Sequence, residues 1–552
     1  MKRRIALIVT FVMLLAFAFT VFAACDDRTE CEKNGHKYDP DTGICSVCKL
    51  PDPNFKTPCE KNGHKYDENT GICSVCKQKD PEFKTECDKN GHEYVDGVCS
   101  VCNNSITSNN SNTDKQIVFV SSQGDKLQEV TSMAIEVFQA KYPGWTVKHN
   151  PVGGWDDVPT NVTNNLQVGE QPDLAYCYPD HVARYLQSEK VVDLSKYIYS
   201  KDSIKVGSTA AAAVGMDDKY IEDFDVAFWS EGFANMFANY AQYGYSDDAI
   251  FTLPLLKSTE VLFYNKTVLD REGIAVPTTW TELWAACKIL HEKYPNCIPL
   301  AYDSEANWMI TMCEQNGWGY TTTAGGDADH YIFNNAGVRR WLQDIQGYYI
   351  KDSYFTTRQM YGGQYTSKLF TTGVDNGAGG AVFCIGSTGG TNNQIPETFT
   401  AGVAHIPGST DKDGNAKAIS QGPSLVMFHS DKASNAEEKE YMTYLFIKEL
   451  LDIEIQAAFS MVSGYNPVRL STYTGVPDYV AWFTKREVPL VVDTVAIARD
   501  MSKKNEFFTS PAFIGSDTAR STVGDMIKTI LEGTNVQQAV EKAIKDCGGK
   551  VS

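Results

Sequence analysis

The sequence predicts an α/β protein with small cysteine-rich modules in front of it. From Lys115 onward, short apolar runs alternate with segments of helical periodicity. The clearest example is residues 252–283, where the apolar run 261–264 is too short for a helix and rich in β-forming residues. After it, either Thr278 or Thr279 can cap a new helix. The N-terminal part instead holds ten of the sixteen cysteines, which sets it apart from the α/β region.

Charge and composition exclude some classes of function. The chain has 50 Lys and Arg against 69 Asp and Glu, a net charge of −19 at pH 7, and 42% hydrophobic residues. Because contacts with phosphates need clustered Lys and Arg, we expect no nucleic-acid partner. The acidity is equally consistent with solubility alone. The composition is that of a globular protein, and the length allows several domains.

The N-terminus has the pattern of an export signal. Three basic residues (2–4) precede the apolar run 5–22, and two alanines follow it. The next residue, Cys25, resembles the lipidated cysteine of a bacterial lipobox, which predicts a signal peptide over residues 1–24 and a lipidated N-terminus over 25–30. Ordinary cleavage at the alanines and an uncleaved membrane anchor are the alternatives. The prediction is a lipid-anchored protein at the extracellular face of the cell membrane.

Three copies of a cysteine and histidine module follow, over residues 31–58, 59–86 and 87–102. Each supplies one Cys, a His five residues later and a Cys-x-x-Cys pair, and the third lacks two residues at the turn before its pair. Three thiolates and one imidazole at this spacing favour tetrahedral zinc, with one structural ion per module, as in zinc ribbons. The predicted zinc ligands are Cys31, His36, Cys45, Cys48, Cys59, His64, Cys73, Cys76, Cys87, His92, Cys99 and Cys102.

Disulfides are the alternative for these modules, since exported proteins favour them. Three cysteines per module would leave one over in each, and disulfides would not account for the recurring His. So short a unit also has too little core to fold alone, and metal binding would supply the missing free energy. A site with four protein ligands has no position for a substrate, so we expect a spacer or surface-interaction role. Residues 103–114 are predicted to be a polar linker.

Short motifs spread over residues 115–550 resemble those of bacterial extracellular solute-binding proteins. The apolar run that ends Tyr264-Asn265-Lys266 is followed by Gly, Pro, Thr, Trp and a helix, and Gly464-Tyr465-Asn466-Pro467-Val468 is similar to the family's G-Y-x-P-V turn. Pro172-Asp173 entering a strand and the segment 401–408 ending in Pro-Gly also resemble family motifs. The likeness is to family 1, the sugar-type lipoproteins of ABC transporters. It rests on the order of many moderate motifs.

The resemblance implies a two-lobed, periplasmic-binding-protein-like α/β fold of type II. The run 261–264 would then make the first crossing between the lobes, at the floor of a ligand cleft. Such proteins close by a hinge around a solute. Residues 200–245 carry no clear pattern of elements. The implied solute-binding domain spans residues 115–552, with a first lobe over about 115–264 and 403–464 and a second over about 265–402 and 465–552.

In such a cleft, aromatic rings stack on the apolar faces of a sugar while polar groups bond its hydroxyls, and both are best placed at strand ends. For each aromatic candidate, a place in the core is the alternative. The Gly-rich loop that begins at Ser387 could instead present backbone N–H groups to an anion. The predicted ligand-binding residues are Trp155, Tyr176, Tyr178, Asp180, Lys257, Glu260, Trp308, Ser387, Thr388 and Tyr465.

The predicted function is the capture of a carbohydrate, an oligosaccharide, by a monomeric binding protein that delivers it to the permease subunits of an ABC importer. A binder of a phosphorylated or acidic solute, an exported glycan-acting enzyme and a surface adhesin are the alternatives. The sequence has no Gly-x-Ser-x-Gly elbow, His-Glu-x-x-His motif or phosphate-binding P-loop. We therefore predict no catalytic residues.

Overall fold

The computed structural model describes residues 82–103, 114–409 and 415–550, together with shorter pieces earlier in the chain (37–38, 44–46, 52, 56, 63–67, 71–78 and 80). These residues form two compact units that divide between Gly91 and His92. The predicted signal peptide, Cys25 and most of the predicted linker (104–113) lie outside the described residues. Within the described ranges, no helix is both long enough and apolar enough to cross a bilayer.

The first unit repeats one small hairpin. In both described copies, the serine after the bridged cysteine donates its N–H to the carbonyl of the residue before the bridged tyrosine, at 3.0 Å. The unit ends in a short helix, α1 (Glu86–Asn90). Equal spacing in the sequence thus produces equal backbone geometry. The equivalent antiparallel bridges join Tyr38 to Cys45 and Tyr66 to Cys73.

The second unit begins with a hairpin and continues as an α/β domain. Its elements up to the first crossing between the lobes are β1 (Glu93–Val95), β2 (Val98–Cys99), β3 (Gln116–Ser121), α2 (Asp125–Lys141), β4 (Thr146–Pro151), α3 (Asp157–Val168), β5 (Leu174–Cys177), α4 (Pro179–Tyr185), α5 (Ser195–Ile198), β6 (Ser203–Lys205), β7 (Ala212–Ala213), α6 (Asp218–Glu222), α7 (Val226–Trp229), β8 (Thr252–Pro254) and β9 (Leu256–Lys257).

The remaining elements fall into two groups. Those of the second lobe are β10 (Glu260–Asn265), α8 (Lys266–Glu272), α9 (Trp280–Lys293), β11 (Ile298–Tyr302), α10 (Glu305–Asn316), α11 (Ala336–Ile350), β12 (Phe355–Thr357), α12 (Ser367–Thr372), β13 (Ala381–Ser387) and β14 (Ala401–His405). Those after the return are β15 (Ala418–Ile419), β16 (Ser424–Met427), α13 (Ala436–Leu450), α14 (Ile453–Ser463), β17 (Asn466–Pro467), α15 (Thr472–Gly475), α16 (Pro477–Lys485), α17 (Pro489–Lys503), β18 (Phe507–Phe508), α18 (Ser516–Leu531) and α19 (Val536–Asp546).

The first lobe is built on a five-stranded sheet in the order β4-β3-β5-β16-β8. Strands β3, β4 and β5 run parallel, as strand–helix–strand units require, and β16 returns antiparallel between β5 and β8. Helices α2 and α13 pack on each other and against this sheet. Phe446 of α13 contacts Phe119 of β3 and Phe138 of α2, with ring centroids 5.9 and 5.4 Å apart. These rings form the core of the lobe.

The second lobe has its own five-stranded sheet, in the order β12-β11-β13-β10-β14. Its core contains Trp308, which is fully buried and stacks on Tyr302 with ring centroids 4.8 Å apart. The adjoining helix α9 starts at a capping box. Thr279 accepts the N–H of Glu282, and the Glu282 carboxylate accepts the N–H of Thr279, each at 3.3 Å. Of the two predicted caps, Thr279 is therefore the residue that fills the role.

The two sheets form the two-lobed α/β fold that the sequence predicts, which is confirmed. The chain leaves the first sheet after β8 and enters the second at β10. The sequence predicts a first lobe that extends to residue 264, whereas both neighbours of β10, β13 and β14, lie in the second sheet. The reason is that the apolar residues 261–263 are buried between these two partners.

Thr259 ties the crossing segments together just before β10. Its N–H donates to Thr388 Oγ1 at 3.2 Å, and its carbonyl accepts the Thr388 N–H at 2.8 Å. Its hydroxyl donates to the carbonyl of Ile419, on the returning segment, at 2.9 Å. A single buried residue thus connects the outgoing strand, the end of β13 and the return to the first lobe.

A further sheet in the second unit has the order β2-β1-β6-β7. It joins the hairpin of the third Cys/His module to residues 203–213, in the region where the sequence pattern is unclear. Strand β1 pairs antiparallel with β2 and parallel with β6. Part of the third module is therefore built into the sheet structure of the second unit.

Candidate functional site

A cavity of about 620 Å³ opens between the two lobes of the second unit. Trp155 and Tyr178 line it from loops of the first lobe, while Glu260 and Ser387 line it from strand ends in the second sheet. A pocket of this volume is suited to a small molecule. Because both lobes contribute to its lining, any movement of one lobe against the other would change its shape.

The first-lobe wall of the cavity is a stack of aromatic rings. Trp155 lies in the turn before α3, and Tyr178 directly precedes α4. The centroids of these two rings are 4.9 Å apart with an interplanar angle of 22°, and the buried Tyr176 stacks on Trp155 at 6.0 Å. Trp155 and Tyr178 are both partly exposed. They therefore present ring surface that can pack against the apolar face of a ligand.

Tyr465 adds another ring from the loop after α14. It lies against Gly389, where an added Cβ would come within 2.5 Å of the tyrosine ring. The ring fits there because Gly389 has no side chain. The Gly389 N–H donates to Ser387 Oγ at 3.2 Å. This amide of the Gly-rich loop is thus already hydrogen-bonded within the protein.

A chain of polar contacts links the two lobes at the cavity. Arg520 donates from Nε to Asp180 at 3.1 Å and from Nη1 to Asn307 at 2.6 Å. Glu260 in turn accepts hydrogen bonds from Asn307 Nδ2 at 3.2 Å and from the Tyr302 hydroxyl at 2.7 Å. Asp180 belongs to the first lobe, whereas Asn307, Glu260 and Tyr302 belong to the second. Arg520 is therefore the bridging group.

Burial and charge act in opposite directions on the carboxyl groups of this chain of contacts. Burial by itself raises the pKa of Asp180, but the Arg520 guanidinium beside it outweighs burial, and the pKa lies below its ordinary value. Glu260 is only 2% exposed, and burial raises its pKa to about 7 in spite of the hydrogen bonds from Tyr302 and Asn307. Near neutral pH, Asp180 is therefore an ionised partner of Arg520, whereas Glu260 is at its titration point.

A second ion pair lies beside the first on the same two helices. Arg184 of α4 pairs with Asp517 of α18. In this pair α4 carries the positive charge, whereas in the pair of Asp180 and Arg520 α4 carries the negative charge. Helix α18 packs against α10 and α11 of the second lobe and also contacts α4 of the first. We call these four residues the α4–α18 clasp, because they join the lobes by two complementary charge pairs.

Four polar atoms at the cavity lack a hydrogen-bond partner among the described residues. They are the hydroxyls of Tyr320, Thr321 and Ser510 and the Oε1 atom of Gln394. Tyr320 is 8% exposed and Gln394 is 2% exposed. Because buried polar groups are normally hydrogen-bonded, these atoms are candidates for bonds to a solute or to water.

The structure brings six of the ten predicted ligand-binding residues to the cavity, and four lie behind its lining. The six are Trp155, Tyr178, Asp180, Glu260, Ser387 and Tyr465. The four are Tyr176, Lys257, Trp308 and Thr388, each almost completely buried. Contact with a ligand stays a prediction for all of them.

The four residues behind the lining have protein partners that account for their burial. Lys257 forms an ion pair with Glu231. Tyr176 accepts a hydrogen bond from Gln123 and lies behind Trp155. Trp308 belongs to the second-lobe core, and Thr388 bonds the crossing segment at Thr259. The core alternative that the sequence leaves open for aromatic residues therefore applies to two of them, Tyr176 and Trp308.

Several cavity residues are absent from the sequence-based prediction. Asn307 is adjacent in sequence to the predicted Trp308, and both lie on α10. Asn307 lines the cavity, whereas Trp308 is buried in the core. Arg520 lies in the middle of α18, where a single Arg has no distinctive local pattern. Arg358 stacks its guanidinium over Tyr365 at 4.2 Å. These residues reach the site through tertiary packing.

Two groups of Cys and His side chains in the described part of the chain are close enough to share a metal ion. In the second module, His64, Cys73 and Cys76 place their ligand atoms within 4.8 Å of one another, with His64 Nδ1 3.2 Å from Cys76 Sγ. In the third module, His92 Nδ1 is 3.4 Å from Cys102 Sγ. Zinc bond lengths put two tetrahedral N and S ligands about 3.5 Å apart, so the donor sets fit zinc.

In the second and third modules, the first cysteine of the Cys-x-x-Cys pair accepts hydrogen bonds from backbone N–H groups. The backbone N–H of Cys76 is the largest influence on Cys73 and lowers the pKa of its thiol to about 5. Burial raises the pKa of the Cys99 thiol, but the N–H groups of Cys102 and Val101 outweigh burial and lower it to about 6. The thiolate that metal binding needs is thus favoured in both modules.

The remaining predicted zinc ligands differ in how far the structure describes them. Cys45 is described and buried. Cys87 is described in the first unit, before the division at Gly91 and His92. The others, Cys31, His36, Cys48 and Cys59, lie outside the described residues.

Two α/β lobes with an aromatic and polar cavity between them define a solute-binding class of protein. The family model for bacterial extracellular solute-binding proteins matches residues 133–485. The chain belongs to that family. The family predicted from the sequence is thus confirmed, while its assignment to the sugar-type family 1 stays a prediction.

Known relatives of this chain are binding proteins by name. It is similar to the sn-glycerol-3-phosphate-binding periplasmic protein of Rhizobium meliloti (strain 1021), with 24% identity over 320 residues, or 55% of this chain and 69% of the relative. The protein of the same name from Brucella abortus (strain 2308) is 24% identical over 265 residues. That match spans 57% of the Brucella protein and 46% of this chain.

Solved structures share the fold at low sequence identity. An ABC substrate-binding protein from Listeria monocytogenes in complex with cycloalternan has 14% identity and a TM-score of 0.60, covering 79% of this chain and 99% of that one. UgpB from Mycobacterium tuberculosis in complex with glycerophosphocholine has 16% identity and a TM-score of 0.58, covering 78% and 97%. These likenesses concern the fold alone.

Proposed function

We propose that this chain is an extracellular solute-binding protein that captures a carbohydrate, an oligosaccharide, between its lobes and delivers it to the permease subunits of an ABC importer. The observation that carries the proposal is the aromatic wall of Trp155 and Tyr178, combined in one cavity with neutral polar side chains. Sugars present apolar C–H faces that stack on rings and hydroxyls that need both donors and acceptors. The cavity supplies both.

The neutral polar groups are numerous enough to bond several hydroxyls. Serine, threonine, asparagine and glutamine side chains both donate and accept hydrogen bonds, as sugar hydroxyls do. Four of the polar side chains at the cavity, those of Tyr320, Thr321, Gln394 and Ser510, have an atom without a partner among the described residues. The neutral polar residues in the lining include Ser258, Ser304, Asn307, Thr321, Ser387, Asn393, Gln394, Ser420 and Gln421.

The charges at the cavity support a neutral solute over an anionic one. The carboxyl groups in the lining outnumber the guanidinium groups, and Arg520 is already paired with Asp180. Arg358 stacks on Tyr365 and donates to the Gly363 carbonyl at 3.1 Å. An anion would therefore face an excess of acidic groups. The acidic residues are Asp156, Asp180, Glu260 and Asp303, and the basic residues are Arg358 and Arg520.

A phosphorylated or acidic solute, of the glycerol-phosphate type, is the second candidate. The Rhizobium and Brucella relatives are named for sn-glycerol 3-phosphate, and the Mycobacterium structure holds glycerophosphocholine. In this chain, Arg358 is the observation that favours it, because its partly exposed guanidinium lines the cavity. A guanidinium can bond a phosphate with two parallel N–H donors.

Calorimetric titration of the purified chain with an oligosaccharide panel, sn-glycerol 3-phosphate and glycerophosphocholine separates the two candidates. We expect an oligosaccharide to bind, and Trp155→Ala to weaken it about 30-fold, or roughly 2 kcal/mol. Tyr199→Ala, at an exposed ring outside the cavity lining, is the matched control and should bind normally. Binding of the phosphate esters alone, lost in Arg358→Ala, would overturn the carbohydrate assignment. Cleaved ligand seen by chromatography would make the protein an enzyme.

We also propose one structural zinc ion in each Cys/His module. The convergence of His64, Cys73 and Cys76 supports a metal over disulfides, because a disulfide does not use the imidazole. When bound, zinc would supply folding free energy to so small a module. Metal analysis of the purified chain should find three zinc ions, and Cys76→Ser should lose one. Metal-free protein with intramodule disulfides, seen by mass spectrometry, would overturn this assignment.

The sequence before the modules supports a lipid anchor at the extracellular face of the membrane. The predicted signal peptide ends just before Cys25, which would carry the lipid and become the mature N-terminus. Cys25→Ser should abolish incorporation of a radiolabelled fatty acid and release the protein from the membrane fraction. Unlabelled wild-type protein in the membrane fraction would instead indicate an uncleaved anchor.

A further inference from the structure

The hairpin of the third module is built like that of the second. Tyr94 lies opposite Cys99 in an antiparallel pair, and the His92 ring stacks on Tyr94 with centroids 5.3 Å apart. In the second module the corresponding His64 and Tyr66 rings stack at 5.2 Å. The two metal-binding hairpins therefore share one internal design, and any difference between them lies in their surroundings.

The third hairpin pairs with the first lobe through β1. Strand β1 runs parallel to β6, so that Tyr94 is opposite Ile204. The Ser203 N–H donates to the His92 carbonyl at 2.8 Å, and the Asp96 N–H donates to the Lys205 carbonyl at 2.9 Å. These backbone bonds hold β1 against β6 over the whole strand, because one lies at each end of β1.

Side chains extend this junction to the core of the lobe. Tyr94 is 2% exposed and packs against Tyr441 of α13, with ring centroids 5.7 Å apart. The buried Asp202 carboxylate accepts the N–H of His92 at 2.5 Å and also accepts the hydroxyl of Tyr441. Helix α13 packs against the first-lobe sheet. His92 is thus connected to that helix through a single carboxylate.

The sequence of β1 differs from that of the earlier repeats at Val95, one of the residues that pair with β6. Val95 stands where the first two modules have Asp39 and Asp67. A half-buried valine suits a strand with a paired edge, whereas a charged residue there discourages pairing with another strand. The third repeat has therefore lost a charge where its backbone joins β6.

We propose that zinc in the third module clamps this hairpin onto the first lobe and thereby stabilises the solute-binding domain. The proposal rests on the zinc binding proposed above. His92 takes part twice, since its ring faces Cys102 while its backbone bonds Asp202 and Ser203. Cys99, another predicted zinc ligand of this module, lies on β2 directly opposite Tyr94. Closing the metal site would hold β1 in the conformation that β6 pairs with.

The test compares matched ligand variants in the full chain. Zinc content and the thermal midpoint of the main unfolding transition are measured for wild type with and without EDTA, His92→Ala and His64→Ala. We expect each variant to lose one zinc ion. Only His92→Ala should lower the midpoint by several degrees and abolish most of the EDTA effect. Hydrogen exchange should show that the Ser203 and Asp96 amides lose protection when wild type is treated with EDTA.

Val95→Asp is a second variant that keeps every zinc ligand. It should keep its zinc while lowering the midpoint and exposing the Ser203 amide to exchange. Equal midpoints for His92→Ala and His64→Ala, together with unchanged amide protection in EDTA, would overturn the clamp while leaving zinc binding intact. Absence of zinc from the wild-type chain would overturn both. If His92→Ala does not fold, the wild-type EDTA titration followed by hydrogen exchange decides the question.

Discussion

At the scale of single residues, the site depends on a missing side chain as well as on those present. Gly389 admits the Tyr465 ring, and an added Cβ would lie 2.5 Å from it. At the neighbouring Gly390, which also lines the cavity, an added Cβ meets nothing within 4 Å. These two adjacent glycines therefore differ in whether a side chain would fit, although nothing in the local sequence distinguishes them.

We predict that Gly389→Ala weakens solute binding about tenfold, or roughly 1.4 kcal/mol, by displacing Tyr465 from the cavity. Calorimetric titration of the variant with the solute identified for wild type measures the change. Gly390→Ala is the matched control and should bind like wild type. Normal binding by Gly389→Ala would show that the ring position has no part in recognition.

Glu260 links the cavity to pH. Its native pKa is about 7, whereas an unfolded glutamate has its ordinary value of 4.5, so between these values the native state holds the extra proton. The contribution of Glu260 to the free energy of unfolding therefore falls as pH rises from about 4.5 to 7. At about 1.4 kcal/mol for each unit of pKa, this one group accounts for up to about 3 kcal/mol.

We predict that Glu260→Gln removes that part of the pH dependence, because glutamine does not titrate. Urea unfolding at several pH values between 4.5 and 8 measures the slope for wild type and variant. The control is Glu397→Gln at an exposed position. Parallel slopes for wild type and Glu260→Gln would contradict the raised pKa of Glu260.

At the scale of elements, α4 and α18 hold the lobes together by the α4–α18 clasp. The pair of Arg184 and Asp517 lies at the more exposed end, with side-chain exposures of 37% and 15%. We predict that Arg184→Asp or Asp517→Arg alone weakens solute binding about fivefold, or roughly 1 kcal/mol, because like charges then face each other across the lobes. X-ray scattering should show a larger radius of gyration for each single variant.

The double variant with both charges reversed restores an opposite pair and should bind within about twofold of wild type. Lys432→Asp, which breaks an exposed pair with Glu170, is the control for charge reversal in general. If the double variant is as weak as the singles, the helices do not act through this pair.

Helix α13 illustrates how far a pattern predicts an element. Its apolar residues recur at helical intervals, which predicts a helix over residues 437–451, and the helix forms at Ala436–Leu450. The sequence also indicates an amphipathic helix, but Glu440 and Glu449 on its polar side are buried. Glu440 accepts the Tyr197 hydroxyl, and Glu449 pairs with Lys141. These partners come from distant segments, so periodicity does not reveal them.

At the scale of the whole molecule, the proposed metal site and the solute cavity occupy different parts of the second unit. The cavity lining takes no residue from the hairpin 92–102 or from the segment 203–213. We predict that EDTA lowers the thermal midpoint but leaves the solute affinity within about twofold, because independent sites contribute additively. Calorimetric titration in zinc and in EDTA checks this. A large loss of affinity in EDTA would couple the metal to the cavity.

Features that depend on neighbouring residues could be predicted from the sequence. Strand and helix periodicity, a helix cap at Thr278 or Thr279 and the repeat of Cys and His spacing each need only short segments with the right polarity or geometry. The family resemblance needs more of the chain, because it rests on the order of many moderate motifs. Six of the ten residues predicted for ligand binding also reach the cavity. Glu260 and Ser387 do so at strand ends, and Tyr178 directly follows β5.

Which polar groups meet depends on tertiary packing. Arg520 reaches Asp180 across 340 positions of sequence, and Trp308 enters the core while its neighbour Asn307 lines the cavity. Tertiary packing also joins the third hairpin to β6, although all three modules have the same order of Cys and His residues. Such pairings depend on how whole elements pack, because the free energy of burying a charge is set by its partner and not by its place in the chain.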